Sequence, residues 1–205
     1  MNRLLIIIFL SASLAGCATM NRAECLNADW YMIGMEDGMR GALPSYIGKY
    51  RRACAKYNIT PDLEAYRNGH NEGISQFCTK ARGFYMGEGG ASYTGICPPE
   101  LEYEFLEGYN QGRRLHNMRQ EINSISSGIR SDQNKLSALK KALKEKKSKL
   151  ISDGTPAFER ILLLEEINKL QVKIHKLDRK IMDQKEYKDS KEMEYQDFKA
   201  LNIYE

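Results

Sequence analysis

The sequence predicts a mainly α protein: a small disulfide-stapled helical head with repeated glycine shelves, then a long antiparallel coiled-coil hairpin. Three observations carry this. Composition changes sharply near residue 114, with 13 glycines and 13 aromatic residues between Ala18 and Arg114 but two and five from Leu115 to Glu205. The pattern aromatic-x-x-Gly-x-x-x-Gly occurs three times before that change, and leucines and isoleucines at heptad spacing follow it. The predicted organisation is a leader over 1–16, a linker over 17–23, a head over 24–114 and a hairpin over 115–205.

The leader comes first. Residues 1–16 hold a basic Arg3, an apolar run from Leu4 to Leu10 and small residues up to Cys17. That run is shorter than the ~20 residues a membrane-spanning helix needs, so it reads as a cleaved signal peptide. Its end, Leu14-Ala15-Gly16-Cys17, resembles the lipobox of bacterial lipoproteins. The resemblance implies cleavage before Cys17, acylation of its sulfur and new amino group, and anchoring by more than one chain. Ala18 stands where many inner-membrane lipoproteins carry aspartate, which points to the periplasmic leaflet of the outer membrane. With Arg3 removed, the 31 basic residues fall to 30 against 27 acidic ones. That balance is too even to argue for a nucleic-acid partner.

Once Cys17 is set aside, Cys25, Cys54, Cys78 and Cys97 remain, with no C-x-x-C spacing for a metal or redox site. In an oxidising compartment four such cysteines form two disulfides. Sequence alone allows three pairings.

Within the head the repeat reads Tyr31/Gly34/Gly38, Tyr66/Gly69/Gly73 and Phe105/Gly108/Gly112, with a looser copy at Phe84/Gly87/Gly90. Residues three and four apart share a helix face, so each copy is an aromatic plate beside a flat shelf. Each glycine costs about 1 kcal/mol against alanine in a helix interior. Close backbone packing between water-soluble helices would offset that cost. The expected layout is a first helix over 24–39, a turn at Gly41-Ala42-Leu43-Pro44-Ser45, and a second helix over 46–56. A third helix starts at Asn58-Ile59-Thr60-Pro61-Asp62 and runs to 80. A glycine-rich loop over 86–95 leads to a last helix from residue 100. A hairpin of the first two helices would bring Cys25 to Cys54, leaving Cys78 and Cys97 to staple the loop.

In the second half Leu115, Met118, Ile122, Ile125, Ile129, Leu136, Leu139, Leu143 and Leu150 follow steps of three and four, interrupted by Asp132 and Lys146. After a break at 152–156 the pattern resumes through Leu163, Ile167, Leu170, Ile174, Leu177 and Ile181, with Tyr195 and Phe198 in phase. This is coiled-coil spacing, and the break makes it an antiparallel hairpin. Folding it about residue 153 would set Tyr195 and Phe198 beside Tyr109 and Gly112, on the third glycine shelf. The heptads also allow pairing with a second copy of the chain.

Signatures of chemistry are sparse. There is no G-x-S-x-G elbow, phosphate loop or H-E-x-x-H motif. His70, His116 and His175 are scattered, and His70 reads as a helix-surface residue between glycines. Asp29, Glu36 and Asp37 form a carboxylate group without a nucleophile, and Asp29 suits a helix cap. No catalytic activity, metal or cofactor is expected. Trp30, Tyr66 and Tyr85 are the candidate binding residues should the head form a groove for a glycan or peptide. The run from Lys140 to Lys149 holds six lysines and one glutamate beside the hairpin tip. Peptidoglycan or an envelope protein is the partner expected there.

Taken in order, the lipobox, Cys25, Asp29 to Gly41, Tyr66 to Cys78, Gly87 to Pro98 and Phe105 to Gly112 are similar to uncharacterised Gram-negative lipoproteins grouped as domain of unknown function 2799. The resemblance covers about residues 23–114. It implies a periplasmic lipoprotein with this pattern of glycine, cysteine and aromatic residues, and it supplies no activity and no catalytic residues.

Overall fold

The computed structural model describes residues 20–202. The chain divides into two compact units, Met1–Gly112 and Arg113–Glu205. Among the described residues the helices are α1 (Arg22–Leu26), α2 (Trp30–Met39), α3 (Ile47–Ala55), α4 (Leu63–Phe77), α5 (Lys80–Glu88), α6 (Pro99–Leu150) and α7 (Ala157–Leu201), with a 3-10 turn at Pro44–Tyr46. Leader and lipidation site, 1–16 and Cys17, lie outside the described residues.

Polar caps decide the helix boundaries in the first unit. Asn21 and Glu24 form a reciprocal capping box at α1. Asp29 accepts from the Met32 amide, which ends the expected single helix over 24–39 and starts α2 afresh. Asp62 caps α4, so Pro61 stands just outside the helix. Thr79 caps α5, a helix that fills the stretch left between the expected third helix and the glycine-rich loop and takes the first residues of that loop.

The glycines determine which helices meet. A Cβ on Gly34 would collide with the Tyr66 carbonyl, and one on Gly38 with the His70 carbonyl. Reciprocally, Gly69 abuts the Tyr31 carbonyl and Gly73 the Met35 carbonyl. Numbers rise together along both helices, so α2 and α4 run parallel, with α3 as the crossover between them. The first helix therefore pairs with the third, not with the second as a hairpin. Every carbonyl in this contact belongs to a residue three before a partner glycine. Such contacts set carbonyls against glycine Cα–H groups, each worth about 0.5–1 kcal/mol, which offsets much of the glycine cost.

The same device recurs in α5 and α6. Gly83 meets the Phe105 carbonyl, Gly108 the Lys80 carbonyl and Gly112 the Phe84 carbonyl, and this pair too is parallel. The fourth copy is Lys80/Gly83/Phe84/Gly87, one turn earlier than the sequence pattern placed it. Lys80 occupies the position where the other copies suggested an aromatic ring. The shelf of Gly108 and Gly112, where Tyr195 and Phe198 were expected, is covered by α5. Within the second unit, the Phe198 ring lies 4.2 Å from the Arg114 guanidinium.

Parallel pairing also brings the leading ends of two helices together, and the cysteines stand there. Cys25, ahead of α2, bonds to Cys54, ahead of α4. Cys78, ahead of α5, bonds to Cys97, ahead of α6. Each disulfide is buried with its own core. One holds Trp30, Ile47 and Tyr66, and the other Ile74, Phe77 and Phe105.

The second unit is the antiparallel hairpin. The pairs Lys149–Glu159, Tyr187–Glu121 and Arg114–Glu194 are each centred on Gly154, which sets the register. Leu115, Met118, Ile129, Leu163, Ile167, Ile174 and Ile181 are buried between the arms. Asp132 is buried among them at a heptad position and meets Lys180 at 2.7 Å and Lys135 at 3.2 Å. Arg160 braces the turn, donating to the carbonyls of Leu150 (2.7 Å), Ser152 (2.8 Å) and Thr155 (3.0 Å). The Thr155 hydroxyl donates to the Lys149 carbonyl at 2.6 Å. Carbonyls left open at a helix end thereby find partners.

Candidate functional site

The most polar buried point of the head is Asp37. It stands three residues after Gly34 and so shares the face that α2 turns to α4. Its side chain is fully buried. Oδ2 accepts from the Tyr66 hydroxyl at 2.8 Å, and Oδ1 accepts from the Tyr50 hydroxyl at 3.3 Å and from the Arg40 guanidinium. The Asp37 carbonyl accepts from the Ala42 amide at 2.9 Å. That turn is possible because Gly41 has φ +73°, and a Cβ there would also strike the Phe77 ring. His70 lies beside this centre, its ring stacked on Tyr66 with centroids 6.0 Å apart. Its Nε2 is 2.7 Å from the Ala42 carbonyl, which can only accept, so Nε2 carries the hydrogen.

The centre joins α2, the turn after it, α3 and α4 through one carboxylate. Burial, the charge of Asp37 and the hydrogen bond to it push the Tyr50 hydroxyl up to about 12. Burial, then its own hydrogen bond to Asp37 and the charge there, raise the Tyr66 hydroxyl as well. The hydrogen bond to Asp37 holds Arg40 above its ordinary value. Both tyrosines therefore stay protonated donors at neutral pH. Asp37, Tyr50, Tyr66 and Arg40 direct their polar groups at one another, an arrangement that fixes geometry.

Several expected site residues fall elsewhere. His70 is buried with 2 % exposure and is not the helix-surface residue expected from its neighbours. The carboxylate group does not assemble: Asp29 caps α2, Glu36 is exposed and Asp37 is buried. Trp30 and Tyr66 are buried in the first core, Tyr66 completely, so they do not form a groove with Tyr85. Tyr85, on α5, is exposed. Of the six lysines near the tip, Lys140, Lys146 and Lys149 pair across the arms with Asp178, Glu166 and Glu159. Lys141, Lys144 and Lys147 are exposed at a spacing of three, which places them along one side of α6. Among the described residues no group of His, Cys, Asp or Glu is placed to hold a metal, and no helix is long and apolar enough to cross a membrane.

Sequence reasoning missed the Asp37 centre because Tyr50 and Tyr66 lie 13 and 29 residues away. The one local signal was its spacing from Gly34 on the shelf face.

Fold and site together define a small helical domain built from glycine-zipped, disulfide-stapled parallel helix pairs, carried in a chain that ends in a coiled-coil hairpin. Residues 29–114 match the family model described as protein of unknown function DUF2799. No curated protein and no solved structure gives a match.

Proposed function

We propose that this is a lipid-anchored envelope protein that acts by contact and not by catalysis. Cys17 would be fixed in the periplasmic leaflet of the outer membrane, and the hairpin tip would dock on another envelope protein. The observation that carries this reading is the surface beside the braced turn. There Ile151, Phe158, Ile161 and Leu162 are 76, 73, 66 and 46 % exposed. Exposed apolar clusters of this kind mark interaction sites. The lysines Lys141, Lys144 and Lys147 nearby call for a partner with an acidic rim. A non-catalytic role is supported by the Asp37 centre, whose polar groups serve one another. Burial of Trp30 and Tyr66 favours this reading over a head that grips a glycan with those rings.

The test is photo-crosslinking in cells from position 158, with position 176 as the control site. One protein adduct of defined mass from 158, lost in Ile161→Ser/Leu162→Ser while helicity is kept, supports the reading. Crosslinks to peptidoglycan, equal adducts from both positions, or an adduct indifferent to the double substitution would refute it. Cys17→Ser is expected to move the chain from the membrane to the soluble periplasmic fraction. A chain that stays membrane-bound without Cys17 removes the anchor from the proposal.

A further inference from the structure

The head carries a second polar feature, which adjoins the Asp37 centre through Arg40 and lies apart in sequence from the hairpin tip. A cleft of about 490 Å³ opens between the turn after α2 and the chain around α5. That volume is in the range of small-molecule sites. Arg40 and Arg82 line it together with the Tyr85 and Tyr93 rings, and Phe77, Met86 and Ile96 supply its apolar wall. The hydroxyls of Ser92 and Thr94 border it, and no carboxylate does.

Charge is the deciding property. Arg40 is balanced by Asp37, which anchors the guanidinium from beneath. Arg82 lies over the Phe77 ring at 5.5 Å, and among the described residues no acidic side chain forms an ion pair with it. The cleft therefore holds one positive charge in excess, on a planar group propped by an aromatic face. Guanidinium forks of this kind match carboxylates in two-point contact. The Tyr93 hydroxyl is already engaged, donating to Glu102 at 2.9 Å and accepting from the Cys97 amide at 3.0 Å, so only its ring faces a ligand. Tyr85 is 53 % exposed and forms the outer wall.

We infer that this cleft binds the free carboxylate end of a short peptide, with the carboxylate on Arg82 and an apolar side chain against Phe77, Met86 and Ile96. A bare oxyanion would use the arginines and leave the apolar wall wet, whereas a neutral sugar would leave Arg82 unanswered. The inference does not rest on the docking of the hairpin tip, and either can fail alone.

The experiment is calorimetry and saturation-transfer NMR on the purified full chain, with the tripeptide Ala-Leu-Phe as its free acid and as its C-terminal amide. The acid is expected to bind saturably at millimolar concentration or better, with the phenylalanine ring receiving most of the transfer. The amide is expected to bind at least about tenfold more weakly, the scale of one charge-assisted hydrogen bond. Arg82→Gln should weaken the acid to the level of the amide, and Tyr85→Ala should weaken both alike, each variant melting at the wild-type temperature. Equal binding of acid and amide, no saturable binding of either, or an unchanged acid affinity in Arg82→Gln would overturn the inference. So would inorganic phosphate binding as tightly as the peptide acid, which would reduce the cleft to an oxyanion site.

Discussion

In the head, α2 and α4 meet backbone to backbone at Gly34, Gly38, Gly69 and Gly73, with no room for a single added methyl group. In the hairpin, α6 and α7 are held apart by leucine and isoleucine side chains, and a Cβ on Gly128 would meet only the Gln184 amide at an ordinary 3.7 Å. The first contact tolerates one residue type at each position. The second tolerates any side chain that respects the heptad. Two helical regions of one chain thus place opposite demands on their glycines. The difference is geometric: parallel helices joined by a crossover need close approach to gain enough contact, whereas long antiparallel arms gain it through length.

The largest way to break this contrast is reduction of the disulfides. They close segments of 29 and 19 residues and occur only in the head. Each is expected to contribute about 3–4 kcal/mol by loop entropy, comparable with the whole stability of a small domain. Reduction should therefore shift Trp30 fluorescence, which reports the head, to that of an unfolded chain. The helical circular dichroism of the hairpin should largely persist. Simultaneous loss of both signals would show that the two regions fold as one.

Next comes Gly34→Val. Its branched side chain would drive into the Tyr66 carbonyl, and a loss of about 3 kcal/mol or more is expected from overpacking that cannot relax. Gly128→Ala in the hairpin should instead gain about 1 kcal/mol from helix propensity. Thermal melts of the two variants, followed by Trp30 fluorescence and circular dichroism, check the opposite signs. Equal effects would mean that the glycine contacts in the head are not what they appear.

A smaller effect is expected from Asp37→Asn, which keeps the shape but removes the charge that Arg40, Tyr50 and Tyr66 share. About 2–3 kcal/mol should be lost from the head alone. The pH dependence follows from the raised tyrosines. Tyr50 is held up to about 12, so the stability it lends is fully present below its ordinary value of 10.0 and is lost as pH rises through 12. Tyrosine absorbance should show this group ionising late or together with head unfolding. Asp37→Asn should bring that ionisation to lower pH. The smallest expected change lies in the hairpin, where Lys180 and Lys135 depress the Asp132 carboxyl. Its contribution should fade only as pH falls below about 4, seen as a modest loss of helix signal.

Much of this architecture was legible because it is written at short range. Heptad spacing predicts the arms and their turn, since every third or fourth residue must face the partner arm. The aromatic and glycine repeat predicts close helix contacts, and four cysteines in the glycine-rich half predict a stapled head. The break at Asp29 was legible only in part, because a capping residue competes with otherwise continuous helical spacing. The helix α5 was hidden by the glycines from Gly87 onward, which read as a loop, while Gly83 finds its partner only on α6. Parallel pairing and the Asp37 centre were not legible. Spacing along one helix reveals which residues share a face, but not which other helix that face will meet.

The sequence by itself therefore determined the two long arms with the turn between them, and most of the positions where backbone must approach backbone, because those follow from local periodicity. Only the tertiary structure decided that α2 seeks α4, that α5 seeks α6, and that Asp37 finds its tyrosines. Those choices depend on the burial gained by all the contacts at once, including the carbonyls received by the glycines. A one-dimensional pattern carries no term for that sum.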